Sequence, residues 1–316
     1  MSSLKFSEIS RSTDCPDRPD EPVCEKIPAR VAVLGEGMTI RRALPTRMRR
    51  TIGAFCFLDH AGPLEIDGEN GMRVGPHPHT GLQTFSWMVE GEILHRDSLG
   101  YEQIIRGGQV NLMTAGRGIS HSEESTKDYR GRLQMAQLWI ALPKSHAEIE
   151  PAFEHYAELP KLERGDLQLM VLAGEFDGTR APTKVYTPLV ALDIRGTGEA
   201  TLPLNPGFEH GTLVLKGSAT IEGERTEPGE LIYLGIGRDK LSVQLDEGTE
   251  LLLIGGEPFE DELILFWNFV GRTHEEVEAW VREWNDNGAG SRFGEVRGYD
   301  GPRMPSPELV ARLKPR

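Results

Sequence analysis

The chain is poor in cysteine and in long apolar segments. Cys15, Cys24 and Cys56 are its three cysteines among 316 residues, and so sparse and odd a count argues against a disulfide framework and suits a reducing compartment. The longest apolar runs, residues 251–254 and 263–270, are far too short to cross a bilayer. Residues 1–28 have no apolar core followed by a small-residue cleavage site. These absences predict a soluble, cytoplasmic protein with no membrane association.

Positive charge is also scarce. The 35 Lys and Arg residues face 49 Asp and Glu residues, which gives a net charge of −14 and a pI near 5.2. Because an acidic surface repels phosphate backbones, we expect no direct nucleic-acid binding. The sequence also has no Gly-x-Ser-x-Gly, phosphate-loop or Cys-x-x-Cys motif. Those hydrolytic, nucleotide-binding and redox mechanisms are therefore not the first to consider.

Glycine and proline, by contrast, are abundant, with 36 and 21 residues. Between them lie short apolar or alternating runs, such as Leu-Gln-Met-Ala-Gln-Leu-Trp-Ile-Ala-Leu at 133–142. Many short strands at regular spacing predict an all-β barrel or sandwich.

One segment near the C-terminus departs from this pattern. Thr273 and Glu276 form a capping box, and the apolar residues that follow recur with helical spacing. Four of them fall on one face: Val277, Trp280, Val281 and Trp284. We predict one amphipathic helix that packs on a barrel.

The β-rich part divides into two similar blocks. Gly108 and Gly116 are eight positions apart, as are Gly229 and Gly237, and each pair follows a strand and a hairpin. A duplicated barrel explains this spacing. The predicted organisation is an N-terminal arm (1–28), a first barrel that binds metal (29–143), a charged linker (144–165), a second, degenerate barrel (166–272), and a C-terminal helix and tail (273–316).

Two residue pairs in the first block have the spacing of metal ligands. His77 and His79 are separated by one residue, as are His121 and Glu123, and alternate strand residues point to the same face. A lone His-x-His pair is weak evidence, since most such histidines are surface or core residues. Two pairs on neighbouring strands would give a set of three histidines and one carboxylate, which leaves a six-coordinate metal two open positions. Nitrogen and oxygen ligation without thiolate suits Fe(II), Mn(II), Co(II), Ni(II) or Cu(II) better than structural zinc.

The surrounding residues strengthen this interpretation through a family resemblance. Three runs carry it: His-Pro-His-Thr-Gly from His77, Glu-Gly-Glu-Ile-Leu-His-Arg-Asp-Ser-Leu-Gly over 90–100, and Met-Thr-Ala-Gly-Arg-Gly-Ile-Ser-His-Ser-Glu over 113–123. They resemble the pirins, a bicupin family. The similarity is dense over residues 30–145 and looser to about 290.

The resemblance implies two consecutive jelly-roll-like cupin barrels. It also implies that His77, His79, His121 and Glu123 hold one divalent metal, with Fe(II) as our prediction and Mn, Co, Ni, Cu or Zn as alternatives. Gln83 occupies a position where many pirins carry Glu, so we expect altered surroundings of the metal without loss of the metal itself.

The same offsets in the second block reach no comparable ligand set. They give Pro203, Asn205, Ser242 and Gln244. We therefore predict that the second barrel binds no metal and is structural, and that His210, isolated within it, has no special role.

Two further groups of the first block are candidate site residues. We interpret His60 as a core residue, or one that supports the ligands. We interpret His95, Arg96 and Asp97 as a polar hairpin with an internal ion pair; a group that supports or gates the metal site is the alternative.

The pirin resemblance implies two functions that the sequence does not separate. The first is a quercetin 2,3-dioxygenase type of enzyme, which opens a flavonol-like polyphenol with O2 and uses Glu123 as the catalytic base. The second is a metal-binding regulator that docks on a protein partner such as a transcription factor or a metabolic enzyme.

Overall fold

The fold is seen in a computed structural model, which describes residues 18–35, 37–67, 71–286 and 291–315. Cys15 lies outside these residues. The strands of the first barrel are β2 (Arg30–Leu34), β3 (Met38–Leu44), β4 (Phe55–Ile66), β5 (Arg73–His79), β6 (Leu82–Glu90), β7 (Glu92–Asp97), β8 (Glu102–Arg106), β9 (Val110–Thr114), β10 (Ile119–Glu124), β11 (Gly131–Ala141) and β12 (Ala152–Tyr156).

Two sheets build this barrel. The larger one has seven strands in the order β12-β9-β6-β11-β4-β3-β2, and the smaller has four in the order β5-β10-β7-β8. Side chains alternate between the faces, so that Ile93, His95 and Asp97 of β7 are buried while their neighbours along the strand are only partly so. The smaller sheet, which carries both predicted ligand pairs, thereby turns one row of polar side chains inward.

The second barrel is one continuous sheet of ten strands. Its members are β1 (Pro22–Pro28), β13 (Lys161–Arg164), β14 (Leu167–Phe176), β15 (Thr179–Arg180), β16 (Leu189–Pro203), β17 (Glu209–Lys216), β18 (Ala219–Ile221), β19 (Glu224–Thr226), β20 (Glu230–Gly235) and β21 (Lys240–Gly256). Its main path is β1-β20-β17-β21-β16-β14-β13. The predicted all-β fold with two barrels is confirmed.

The repeated glycines occupy equivalent turns in the two barrels. Gly108, Gly116, Gly229 and Gly237 all have positive φ angles, of 83°, 50°, 98° and 86°. Glycine adopts these angles without the steric cost that a Cβ would impose. The eight-residue spacing therefore reflects a turn geometry that both copies share.

Segments predicted as arm and linker contain edge strands. Strand β1 leaves the N-terminal arm and pairs with β20 of the second barrel. Within residues 144–165, β12 pairs with β9 of the first barrel and β13 with β14 of the second. Charged residues and prolines suggest a linker, yet both are tolerated in edge strands, where one side faces solvent. The domain boundaries themselves stay a prediction.

A hairpin and a helix follow the second barrel. The hairpin consists of β22 (Ile264–Phe266) and β23 (Phe269–Gly271), and the helix is α1 (His274–Asp286). The capping box is present: Glu276 N–H donates to Thr273 Oγ1 at 3.2 Å, and Thr273 N–H donates to Glu276 Oε2 at 3.0 Å. The four residues of the predicted face are buried, which confirms the amphipathic helix. None of the helical segments in the described residues has the length and apolar character needed to cross a membrane.

We predict that the packing of β1 on the second barrel contributes to the stability of the protein. Ile27 of β1 lies opposite Leu231 and is 4% exposed in the main core. Ile27→Ala should lower the free energy of unfolding by about 2–5 kcal/mol, because it leaves a cavity in the core. Urea unfolding followed by tryptophan fluorescence would measure this change. Cys24→Ala on the exposed face of the same strand is the control and should change stability by less than about 0.5 kcal/mol; equal effects of the two substitutions would contradict the prediction.

Candidate metal centre

Pairing of two strands brings the predicted ligands together. Strand β10 runs antiparallel to β5, and His121 lies directly opposite His77 in this pairing. An irregularity in the register follows between His121 and Glu123, and Glu123 lies opposite His95 on β7, the other neighbour of β10. The two i, i+2 pairs therefore meet on one face, as the strand period predicted.

The three imidazoles converge closely. The Nε2 atoms of His79 and His121 are 3.1 Å apart, and the His77 ring centroid is 5.0 Å from that of His79 and 4.4 Å from that of His121. The ligating atoms of all three residues lie within 4.8 Å of one another. A second such group, with the same spacing limit, consists of His95, His121 and Glu123. The predicted four residues thus belong to two overlapping trios that share His121.

Backbone carbonyls fix two of the rings in the tautomer that leaves Nε2 free to bind a metal. His77 Nδ1 lies 2.8 Å from the Gly75 carbonyl oxygen, and His79 Nδ1 lies 3.1 Å from that of Asn268. Because a carbonyl oxygen can only accept, each Nδ1 carries the hydrogen and donates it. Each Nε2 then keeps its lone pair for the centre of the cluster, which is the arrangement expected of histidine ligands.

The third ring is fixed by a chain of side chains. His95 Nε2 is 3.1 Å from Asp97 Oδ2, and His95 Nδ1 is 3.4 Å from His121 Nδ1. The Asp97 carboxylate accepts a hydrogen bond from His95 Nε2–H, which leaves His95 Nδ1 as the acceptor for the hydrogen on His121 Nδ1. His121 Nε2 is left free to face the other imidazoles. Phe153 of β12 stacks on the His95 ring at a centroid distance of 4.3 Å and holds it in place.

The sequence predicted only part of this series of hydrogen bonds from Asp97 through His95 to His121. His95 and Asp97, for which an internal ion pair is expected, form a hydrogen bond between His95 Nε2 and Asp97 Oδ2, and both residues are 2% exposed. The same two residues also fit the alternative role, which is to support a ligand, because His95 contacts His121. Arg96 points elsewhere and pairs with Glu102 and Glu124. Alternation along β7 separates Arg96 from its neighbours, so the residues of the motif divide between two faces.

Burial keeps the histidines neutral. It lowers the pKa of His77 to about 4, and it lowers the pKa values of His79 and His121 well below their usual range, with neighbouring histidines adding to the effect. A metal ligand must be deprotonated, so a proton does not compete for these nitrogens at neutral pH. The donor set, its burial and its hydrogen-bond pattern all fit a transition metal.

Glu123 supplies the carboxylate of the set. It is 7% exposed, and its Oε1 lies 3.4 Å from the Ser86 hydroxyl oxygen. Gln137 Oε1, at 2.8 Å from the same oxygen, is the other acceptor available to the single Ser86 hydrogen. Burial raises the pKa of Glu123, and the nearby His95 and the Ser86 hydrogen bond oppose that rise. A carboxylate so placed can bind a cation or exchange a proton with a ligand in the same cavity.

Gln83 lies away from this cluster, contrary to the expectation that it alters the surroundings of the metal. Its amide donates to Thr114 Oγ1 and to the Lys184 carbonyl, each at 2.9 Å. Side chains on β6 alternate: Thr84 lines the cavity and Ser86 contacts Glu123, while Gln83 faces the opposite side, toward Lys184.

His60 is a buried core residue, as expected. Gln134 Nε2 lies 2.9 Å from its Nε2, and burial lowers the pKa of His60 to about 4.

The second-barrel positions at the ligand offsets are exposed, whereas the predicted ligands of the first barrel are buried. These positions are Pro203, Asn205, Ser242 and Gln244.

The histidines open onto a cavity of about 580 Å³. One wall is aromatic: Phe57 and Trp139 stack at 4.0 Å, and the Trp139 ring meets His79 edge-on at 5.2 Å. Arg42 lies over Phe57 at 4.4 Å and forms two hydrogen bonds to Asp59, of 2.8 and 2.7 Å. The volume is within the range of small-molecule sites, which span about 300–1,000 Å³.

The C-terminal segment closes another side of the cavity. Trp267 and Asn268 of the β22–β23 turn line it, as do residues 304–307. Met304 N–H donates to the Pro76 carbonyl at 2.9 Å, directly before the first ligand pair. Residues that follow the second barrel therefore complete the site of the first.

Comparisons with known proteins agree with this architecture. Residues 37–140 match the Pirin family and residues 189–290 the Pirin C-terminal cupin domain. A Pseudomonas aeruginosa protein named as a presumed quercetin 2,3-dioxygenase is 48% identical over 304 residues, which is 96% of this chain and 95% of that protein. A pirin-like protein of Caulobacter vibrioides is 36% identical over 254 residues, covering 78% of this chain and 87% of the relative.

Among solved structures, a quercetin 2,3-dioxygenase from Acinetobacter baumannii superposes with a TM-score of 0.89 at 44% identity, covering 92% of this chain and 97% of that one. The Escherichia coli pirin YhhW, solved with nickel(II), has a TM-score of 0.58 at 20% identity over 75% of this chain and all of its own, which supports the shared fold alone. The sequence matches span both barrels and the ligand-bearing strands. The chain therefore belongs to the pirin family.

Proposed function

We propose that this chain is a metal-dependent dioxygenase of the quercetin 2,3-dioxygenase type. Its metal, Fe(II) in this proposal with Mn, Co, Ni, Cu or Zn as alternatives, would be held by His77, His79, His121 and Glu123. The substrates would be a flavonol-like polyphenol and O2. The observation that supports the proposal most directly is the buried group of three imidazoles and one carboxylate at the end of an aromatic-walled cavity. The names of the Pseudomonas and Acinetobacter relatives agree with it.

The chain's own residues would position the polyphenol. A metal bound in the centre would supply Lewis acidity for the flavonol hydroxyl and a site for oxygen chemistry. Phe57 and Trp139 line the cavity with their stacked rings and offer an apolar wall to an aromatic molecule. The paired Arg42 and Asp59 present hydrogen-bonding edges on the same side. Trp267 and residues 304–307 would exclude water from the bound substrate.

Glu123 would act as the base for the substrate hydroxyl. It faces the cavity and is buried, and burial raises its pKa. A carboxylate with a raised pKa is a better proton acceptor than an exposed one, which brings it closer to the needs of general base catalysis near neutral pH. The neighbouring Ser86 hydroxyl would steady the carboxylate while the proton moves.

A regulator that docks on a protein partner is the second candidate. One observation favours it: Val31 and Val33 of β2 are 67% and 54% exposed, and β2 is the terminal strand of its sheet. Exposed apolar residues on a sheet edge offer a surface for a partner strand. Val33 also lines the cavity of the metal site, so a partner there would lie beside that site.

The ligand assignment predicts a metal-binding defect. His121→Ala should remove most of the bound metal and leave the circular dichroism spectrum unchanged, because the barrel core does not depend on the ion. Metal content per chain would be measured by mass spectrometry after anaerobic reconstitution. His155→Ala is the matched control, since His155 lies in the same barrel and pairs with Asn111 outside the cluster. One metal per chain retained in His121→Ala would refute the assignment.

The hydrogen-bond chain behind His121 predicts a weaker effect of Asp97→Asn. The amide would keep the Oδ1 contacts to the backbone N–H groups of Leu99 and Tyr101 but would donate toward His95. His95 would then donate to His121 Nδ1. Because neutral His121 carries only one ring hydrogen, that hydrogen would lie on Nε2, the nitrogen that faces the metal. Metal affinity should fall about 10–100-fold, as measured by competition with a chelator. Glu102→Gln on the same hairpin should leave metal affinity unchanged. A similar loss of affinity in both variants would contradict the proposed role of the hydrogen bonds from Asp97 through His95 to His121.

The catalytic role of Glu123 predicts a large loss of turnover. Anaerobically metal-loaded protein should consume O2 with a panel of flavonols and bleach quercetin absorption. Glu123→Gln keeps the shape but cannot accept the proton, so turnover at saturating metal should fall by about two orders of magnitude. If the loaded wild type neither consumes oxygen nor alters quercetin, the dioxygenase proposal fails and the docking candidate takes its place. If Glu123→Gln is as fast as the wild type, the base lies elsewhere.

A further inference from the structure

The cavity of the metal site has a second wall that is rich in methionine. Met72 and Met135 are buried in this wall, and the partly buried Met304 joins them from the C-terminal segment. The three side chains pack in one apolar cluster, together with Leu34 and Val74, which line the same cavity. Methionine side chains are adaptable, and their thioethers make favourable contacts with aromatic rings. This wall therefore suits an aromatic group.

Met304 is carried by an irregular segment, residues 298–308, which we call the strap. The structure describes all of these residues, and none of them belongs to a helix or a strand. The strap passes β5, the terminal strand of the smaller sheet, where Met304 N–H donates to the Pro76 carbonyl oxygen at 2.9 Å. Trp284 Nε1–H of α1 donates to the Met304 carbonyl oxygen at 2.8 Å. Both backbone groups of Met304 are thus held, and neither hydrogen bond depends on its side chain.

The backbone of β5 makes room for the strap at Gly75. A Cβ added to Gly75 would lie 2.8 Å from the Pro302 carbonyl oxygen and 3.7 Å from Met304 Cγ. The φ angle of Gly75 lies outside the left-handed region, so the close approach of the strap, and not the backbone conformation, requires glycine here. Gly75 precedes His77 by two residues, which span about 7 Å in an extended strand. The Met304 side chain therefore lies beside the part of β5 that leads into the first ligand pair.

Charge in the rest of the cavity is already compensated. Apart from Glu123, the described lining includes two charged side chains, Arg42 and Asp59, which are joined by two hydrogen bonds of 2.8 and 2.7 Å. A charged group on the part of a ligand that reaches the methionine wall would find no free counter-charge among these residues. The wall favours an uncharged ring.

We propose that Met304 binds the outer ring of a ligand made of two linked aromatic rings, the inner of which is held at the metal centre. This inference rests on the proposed function and adds a preference for a second, uncharged ring. The inner ring would direct two adjacent oxygen atoms toward the metal, and the outer ring would pack on the Met304 thioether. Met304 is then a specificity-determining residue, because it contacts a part of the ligand that does not react.

The test compares catechol with 4-phenylcatechol, which share two adjacent hydroxyl groups and differ by one phenyl ring. Both would be titrated by calorimetry into zinc-loaded full-length protein without oxygen, since zinc does not change its oxidation state. The wild type should bind 4-phenylcatechol about tenfold more tightly than catechol, because the second ring leaves water. Met304→Ala should reduce this preference to about two- to threefold, through loss of the contact with the thioether. Catechol affinity should stay unchanged, because the substitution keeps both backbone hydrogen bonds of residue 304.

Two further variants separate a direct contact from a general disturbance of the cavity. Met304→Leu keeps an apolar side chain of similar volume and should retain most of the preference. Met38→Ala removes a partly buried methionine that packs in the same cluster but does not line the cavity, and it should leave both affinities unchanged. Three results would overturn the proposal: equal affinities of the wild type for the two diols, binding of neither diol, or a preference that survives in Met304→Ala.

The measurement is independent of turnover. If the preference is present and Met304→Ala removes it, while loaded protein consumes no oxygen with any flavonol, this inference holds and the dioxygenase activity is lost. If loaded protein opens quercetin but binds the two diols equally, this inference alone fails.

Discussion

The antiparallel pairing of β5 with β10 is the constraint on which the candidate metal centre depends. It sets His77 opposite His121 and so buries three imidazoles and a carboxylate in one place. Burial of that many polar groups is costly unless each has a partner. The surrounding structure supplies these partners. The carbonyls of Gly75 and Asn268 accept from two of the imidazoles, and the hydrogen-bonded pair of His95 and Asp97 contacts the third. The architecture around β5 and β10 can be understood as the set of partners that this cluster needs.

The spacing of the ligand pairs was predictable from the sequence because strands have a period of two. Two other regularities were also visible in the sequence: the repeated glycine spacing identified the paired barrels, and the helical spacing of apolar residues identified the C-terminal helix. The carbonyl of Asn268 was not predictable, since every residue has a carbonyl and no side chain marks the one that is used. His95 was visible as a polar residue, but its contact with His121 depends on β7 pairing with β10, which no local pattern encodes.

Edge strands were the other failure of local reasoning. Strands β1, β12 and β13 contain charged residues and lie close to prolines, and such composition is shared by linkers and by strands with one solvent-facing side. Their pairing is decided by which sheet edge lies nearby. The consequence reaches the site itself: Phe153 of β12, within the segment expected to be a linker, stacks on His95.

The pairing of β1 with β20 has a consequence for synthesis on the ribosome. Ile27 and its partner Leu231 are 204 positions apart in the chain. At about 5–20 residues per second, β1 waits roughly 10–40 s before its partner strand is made. During that interval the first barrel's strands can assemble while the N-terminal strand remains an unpaired edge that other chains can recognise. The Asn268 carbonyl arrives later still, so the His79 ring gains its fixed orientation only after residue 268 has been translated.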